Sequence, residues 1–208
     1  MLGSQSVSAM FSSTTLCAMT DLATRTCTVE AYLERDAAAD DVRYEYDNGT
    51  LIPMAGAEPE HVRMTFNVAL QVGNRLADRN CFMGSADMRV RVESGFVYPD
   101  FVVACDPRYE NTRPKTLLNP ELLVEVLSES TRHRDQQDKL IAYLNLRSLQ
   151  EYWIIDPGAP WVAQYIRAED GWQYRQYTTL DETLRSAAFD LAIPMQAVYQ
   201  GILYDPEA

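Results

Sequence analysis

Two carboxylates in this chain stand where a carboxylate is costly. Glu125 interrupts the apolar run Leu122-Leu123-Val124-Glu125-Val126-Leu127, and Asp100 interrupts Phe96-Val97-Tyr98-Pro99-Asp100-Phe101-Val102-Val103-Ala104. Each run reads as a buried strand. An isolated ionised carboxylate there loses several kcal/mol of hydration unless a cation or strong hydrogen bonds replace it. Taken singly, either acid could sit at a sheet end in water or pair with an arginine. Taken together, two acids in neighbouring strands point to one shared divalent cation, which takes hard oxygen ligands from both. Lys139 follows on the next helical segment. It and Lys115 are the chain's two lysines, so arginine supplies sixteen of its eighteen basic residues and Lys139 is unlike ordinary surface filler.

The elements that must position these residues alternate in type. Thr28 can cap a helix to about residue 36. Val42 to Tyr46 and Thr50 to Ala55 form a hairpin across Asp47-Asn48-Gly49, because Asn-Gly tolerates the positive φ of tight turns. Glu45 lies on its first strand, between Tyr44 and Tyr46. The longest helical periodicity runs from Glu58 to about Asp78, opened by Glu60-His61, and Val62, Phe66, Ala69, Leu70, Gly73 and Leu76 predict its buried face. Short strands follow at 81–83 and 87–92, then the Asp100 run as one strand and a loop over 105–119. The Glu125 strand, a helix over about 134–146, the strand Glu151–Asp156, a hairpin from Trp161 to Thr178 and a last helix over about 194–204 complete the chain. This order predicts an α+β fold with a central mixed sheet flanked by helices.

Composition bounds the rest. The 208 residues, 47% of them hydrophobic, suffice for one domain over 27–208 behind a Ser/Thr/Ala/Met-rich tail at 1–26 expected to be disordered. A formal charge of -12 argues against a broad surface that coats nucleic acid, while leaving room for a local basic groove. Cys17, Cys27, Cys81 and Cys105 show no CxxC pair or regular spacing, so neither a zinc site nor a disulfide is expected, and a reducing cytoplasm fits. No stretch reaches 18 apolar residues and no secretion signal is visible, so the expectation is a cytoplasmic protein away from membranes.

A proline before Asp100, and Glu125 one strand later, follow the order of the PD-(D/E)XK nuclease motif; Leu127 stands where the motif's lysine would. More specifically, the chain resembles the Uma-two family of restriction endonuclease-like proteins. The resemblance rests on Thr28-Val29-Glu30-Ala31-Tyr32-Leu33, Arg43-Tyr44-Glu45-Tyr46-Asp47-Asn48-Gly49, Glu60-His61 and Tyr98-Pro99-Asp100. It continues through Val124-Glu125-Val126-Leu127-Ser128, the helix with Lys139 and Tyr143, and Glu151-Tyr152-Trp153-Ile154-Ile155-Asp156-Pro157. In such families the lysine is often displaced to a helix, a place Lys139 would take. Glu129 departs from the pattern, where a proline would follow the strand's serine.

The resemblance implies a restriction-endonuclease-like core and a metal-dependent endonuclease acting on DNA. Asp100, Glu125 and the Val126 carbonyl would hold Mg2+ or Mn2+, Glu45 would complete or extend the metal shell, and Lys139 would position the attacking water. A homodimer is expected by analogy. Two other classes stay open: a non-catalytic binding module on the same fold, and a metal-dependent hydrolase of a smaller phosphate ester. Arginines discriminate among them. A cluster such as Arg89, Arg91, Arg132 and Arg134 beside the carboxylates would favour DNA, and scattered arginines the others.

Overall fold

The structure, a computed structural model, describes residues 27–38, 42–54, 56–112, 114–128 and 132–203. The expected tail at 1–26 and Glu129 lie outside the described residues. Helix α1 (Val29–Ala38) starts with Thr28 Oγ1 accepting the Ala31 N–H at 3.2 Å, the capping bond read from the sequence. Strands β1 (Tyr44–Asp47) and β2 (Thr50–Pro53) form the hairpin, with Asn48 at φ 44° and Gly49 at φ 91°. Helix α2 (Pro59–Leu76) leads to β3 (Cys81–Ser85), β4 (Arg89–Val92), β5 (Gly95–Val97) and β6 (Phe101–Cys105). Then come β7 (Tyr109–Glu110), β8 (Thr116–Leu117) and β9 (Leu122–Val126). Helices α3 (Arg132–Gln136) and α4 (Asp138–Leu144) precede β10 (Glu151–Asp156), β11 (Trp161–Ala168) and β12 (Gly171–Tyr177). A hairpin of β13 (Thr183–Ser186) and β14 (Leu191–Pro194) and helix α5 (Met195–Val198) end the described chain.

The fold is α+β, with two mixed six-stranded sheets and helices against them. One sheet has the order β2-β1-β5-β4-β8-β7 and the other β12-β11-β10-β9-β6-β3. In the second, β9 and β10 run parallel and the remaining neighbours antiparallel. Both faces of that sheet are covered, which is why its central strands read as unbroken apolar runs. One face packs Phe101, Val103, Leu122, Val124, Val126, Trp153 and Ile155 against α2 and the β13–β14 hairpin. The other packs Val102, Ala104, Leu123, Leu127, Tyr152 and Ile154 against Val90, Val92 and Leu117 of the first sheet and Tyr143 of α4. Residue alternation therefore sets Glu125 on the second face, between Leu123 and Leu127.

Several expectations are corrected. The Asp100 run is two strands: β5 belongs to one sheet and β6 to the other, and the chain crosses between them at Tyr98-Pro99-Asp100. Proline, lacking an amide hydrogen, suits the point where pairing stops. The predicted loop over 105–119 contains the two-residue strands β7 and β8, too short to leave a periodic signal. The helix carrying Lys139 is broken at Gln137, whose φ of -126° and ψ of -70° separate α3 from α4. Cys81 and Cys105 form a disulfide; they sit opposite each other in the β3–β6 ladder, a register that their separation of 24 residues conceals.

Helix α2 holds the most informative difference. Its core face is Met64, Val68, Val72 and Leu76, at intervals of four, and burying these contributes roughly 1.5–3 kcal/mol each. Val62, Phe66 and Leu70, predicted to be core, are 55%, 65% and 45% exposed. The helix carries two apolar stripes of equal spacing, and periodicity cannot say which one meets the sheet. Gly95 is needed for close approach: a Cβ there would meet the Tyr46 carbonyl oxygen, in the strand that β5 pairs with.

Candidate active site between the two sheets

A cavity of about 460 Å3 opens where the sheets, α2 and the α3–α4 pair meet, and Glu45, Asp100, Glu125 and Lys139 all line it. All four sequence-predicted side chains thus converge, although they come from β1, the β5–β6 crossover, β9 and α4. The ladder explains the first pairing. Phe101 stands opposite Val124 and Val102 opposite Leu123, so one more step of that register sets Asp100 opposite Glu125, just past the last paired residue.

Glu125 is 2% exposed and Lys139 6%. The Lys139 Nζ lies 2.9 Å from Glu125 Oε1, which also accepts the Tyr143 hydroxyl at 2.7 Å. Lys139 and Tyr143 are four residues apart and share a face of α4. The same amine lies 3.4 Å from Glu45 Oε1. Glu45 Oε1 accepts the Tyr98 N–H at 2.8 Å, while its other oxygen pairs with Arg134. Burial pushes the Glu45 carboxyl up, but the charges of Lys139 and Arg134 and the Tyr98 N–H outweigh it and hold the group below the ordinary glutamate value.

Asp100 is fixed from two sides through one oxygen. Its Oδ2 accepts the Val126 N–H at 2.7 Å and lies 3.1 Å from His61 Nε2. Among the described residues Oδ1 carries no hydrogen bond and remains for a further partner. Three carboxylates face the cavity with two fixed cations, which leaves a net negative charge among these five groups. Hard oxygens and that charge fit a divalent cation. No group of three or more His, Cys, Asp or Glu among the described residues is arranged to hold a metal. Asp100 and Glu125 alone would make an incomplete oxygen set, which suits a divalent cation that keeps several waters.

Sequence reasoning left out three participants. His61 was read as a helix-start residue and instead touches Asp100. Tyr143, named only as a neighbour of Lys139 on its helix, is fully buried and donates its hydroxyl to Glu125. Arg134 was read only as a member of an arginine cluster and instead pairs with Glu45. The i, i+4 spacing of Lys139 and Tyr143 was the available signal for one of them. That arginine cluster does not form, so the arginines by themselves do not favour DNA over a binding module or a smaller phosphate ester. Arg89 is fully buried, its guanidinium spread over Asp36, Thr112, Thr116 and the Pro114 carbonyl. Arg91 stacks on the Phe96 ring at 4.5 Å. Arg132 bonds Asp156 at 2.8 Å.

Comparison with known proteins gives four findings. Residues 29–196 match the Uma2 family model, described as "Putative restriction endonuclease". A Synechocystis sp. protein described as uncharacterized is 33% identical over 150 residues, 71% of this chain and 84% of its own length. A second uncharacterized Synechocystis protein is 26% identical over 165 residues, covering 78% and 86% respectively. A crystal structure of an Anabaena variabilis protein, titled "a putative nuclease belonging to DUF820", superposes with a TM-score of 0.64 at 17% identity, over 77% of this chain and 92% of that one. At that identity the likeness concerns the fold.

Proposed function

The chain belongs to the Uma2 family, and from that premise we propose that it is a metal-dependent endonuclease that hydrolyses DNA phosphodiester bonds, leaving a phosphate on the 5′ end and a hydroxyl on the 3′ end. The observation that carries the reading is the convergence of Asp100, Glu125 and Lys139 in one cavity. Asp100 and Glu125, with the Val126 carbonyl, would hold Mg2+ or Mn2+. Such an ion acidifies a bound water and offsets charge on the scissile phosphate. Lys139, held between Glu125 and Glu45, positions the nucleophile and stands where negative charge develops. Glu45 acts through that amine and through Arg134, whose pairing occupies its second oxygen. His61 and the Val126 N–H hold Oδ2 and fix the rotamer of Asp100, which would leave Oδ1 for the ion with little left to reorganise. A homodimer is the expected assembly, by analogy with nucleases of this superfamily.

The test is calorimetric titration of Mn2+ into wild type and Asp100→Asn, followed by nicking of supercoiled plasmid with both. Wild type should bind and nick, and the variant should do neither. Metal binding without nicking would refute paired DNA as substrate, and no metal binding would refute the site.

A further inference from the structure

The carboxylates occupy one side of the cavity; the other side is apolar. Ile52, Pro53 and Met54 come from β2 and the residues after it, and Val62, Phe66 and Ala69 from the outward stripe of α2. Phe66 and Val62 are more than half exposed there, with no residue of the described chain covering them. His61 and Thr65 lie on the same stripe, so the helix that touches Asp100 continues directly into this wall.

We propose that the apolar wall receives a nucleobase against Phe66, and that the substrate is therefore single-stranded DNA or an unpaired stretch within a duplex. This rests on the nuclease reading above and names its substrate class. Three observations favour it. Among the described residues lining the cavity, Arg134 and Lys139 are the only arginine or lysine, and both are paired with carboxylates. A duplex-tracking groove draws its affinity from many phosphate contacts, which a chain of net charge -12 with a buried Arg89 does not place here. A single strand can instead draw affinity from stacking on an exposed aromatic ring. The space is also concave and of about 460 Å3, the scale of a small-ligand pocket, which suits one splayed nucleotide better than the convex side of a double helix.

The experiment compares Phe66→Ala, Phe66→Tyr and wild type on a single-stranded oligonucleotide, a duplex with a central unpaired loop, and the fully paired duplex, all with Mn2+. Binding is followed by quenching of aminopurine placed in the single strand. Ile141→Ala serves as control, being an exposed apolar residue outside the cavity. Wild type should prefer the unpaired substrates in kcat/KM. Phe66→Ala should lose about tenfold on them together with the quenching, Phe66→Tyr should retain both, and melting temperature and Mn2+ affinity should not move. Equal cleavage of paired duplex, with Phe66→Ala like wild type, would overturn the inference and leave the nuclease reading standing. Metal binding with no cleavage of any of the three would overturn both. Dissociation of a wild-type dimer by Phe66→Ala in sedimentation, with quenching unchanged, would overturn the inference by making the wall a self-association face.

Discussion

Replacing Lys139 by methionine probes the site's internal balance. The substitution keeps the unbranched apolar stem, one atom shorter, and removes an amine 2.9 Å from Glu125 Oε1 and 3.4 Å from Glu45. Glu45 keeps Arg134 and the Tyr98 N–H, whereas Glu125, at 2% exposure, keeps the Tyr143 hydroxyl. Removing one partner of a buried ion pair costs about 3–5 kcal/mol because the other charge is stranded. The Tyr143 bond and the adjoining cavity, which can admit water to Glu125, place the expected loss near the lower end, about 3 kcal/mol. For a chain of this size that is a fall of roughly 6–12 °C in melting temperature. Urea denaturation in chelator-treated buffer, followed by circular dichroism, measures it. Glu125→Gln in the Lys139→Met background removes the stranded charge and should restore most of the loss, giving a coupling of at least about 2 kcal/mol in the double-mutant cycle. Lys139→Met should also bind Mn2+ more tightly than wild type while losing activity, because a competing cation has gone. A cost below about 1 kcal/mol, or costs that simply add, would refute the pairing argument.

Two further outcomes follow from groups outside the carboxylate–lysine cluster. Burial and the charge of Asp36 push the Tyr32 hydroxyl up to about 12. Burial, the neighbouring Tyr32 and the hydrogen bond to Asp36 push Tyr98 up as well. Folded values above the unfolded value of about 10 mean that this stability is complete below about pH 10 and is lost as pH rises toward the folded values. Tyr32 Oη has no hydrogen-bond partner among the described residues, so Tyr32→Phe should stabilise by about 1 kcal/mol near neutrality and make the alkaline loss shallower in pH-dependent denaturation; destabilisation would contradict this. The Cys81–Cys105 disulfide closes a loop of 24 residues. Reduction, or Cys81→Ser, should therefore lower stability by about 3 kcal/mol by the loop-entropy estimate. An unchanged melting temperature under dithiothreitol would show that the bond contributes nothing.

Local chemistry made much of this protein legible without coordinates. Asn48-Gly49 specified a hairpin because few residues accept positive φ, Thr28 marked a helix start by its hydroxyl, and Glu151–Asp156 appeared as a strand with the bounds it has in the fold. Glu125 and Asp100 stood out because an acid in an apolar run needs a physical reason. These signals depend on a residue and its near neighbours, so one chain suffices to read them.

What only the tertiary structure decided concerns partners and faces. Sequence periodicity gave α2 two apolar stripes without ranking them, and packing against the sheet chose Met64, Val68, Val72 and Leu76, leaving Phe66 to line the cavity. Arg89 was indistinguishable from a DNA-contacting arginine until the fold enclosed it with Asp36. Cys81 met Cys105 through strand register, and Tyr98-Pro99-Asp100 became a crossover because β5 and β6 found different sheets. Each of these outcomes depends on contacts between residues far apart in the chain. A residue's type limits which partners would satisfy it, but the packing of distant elements decides which of them it meets.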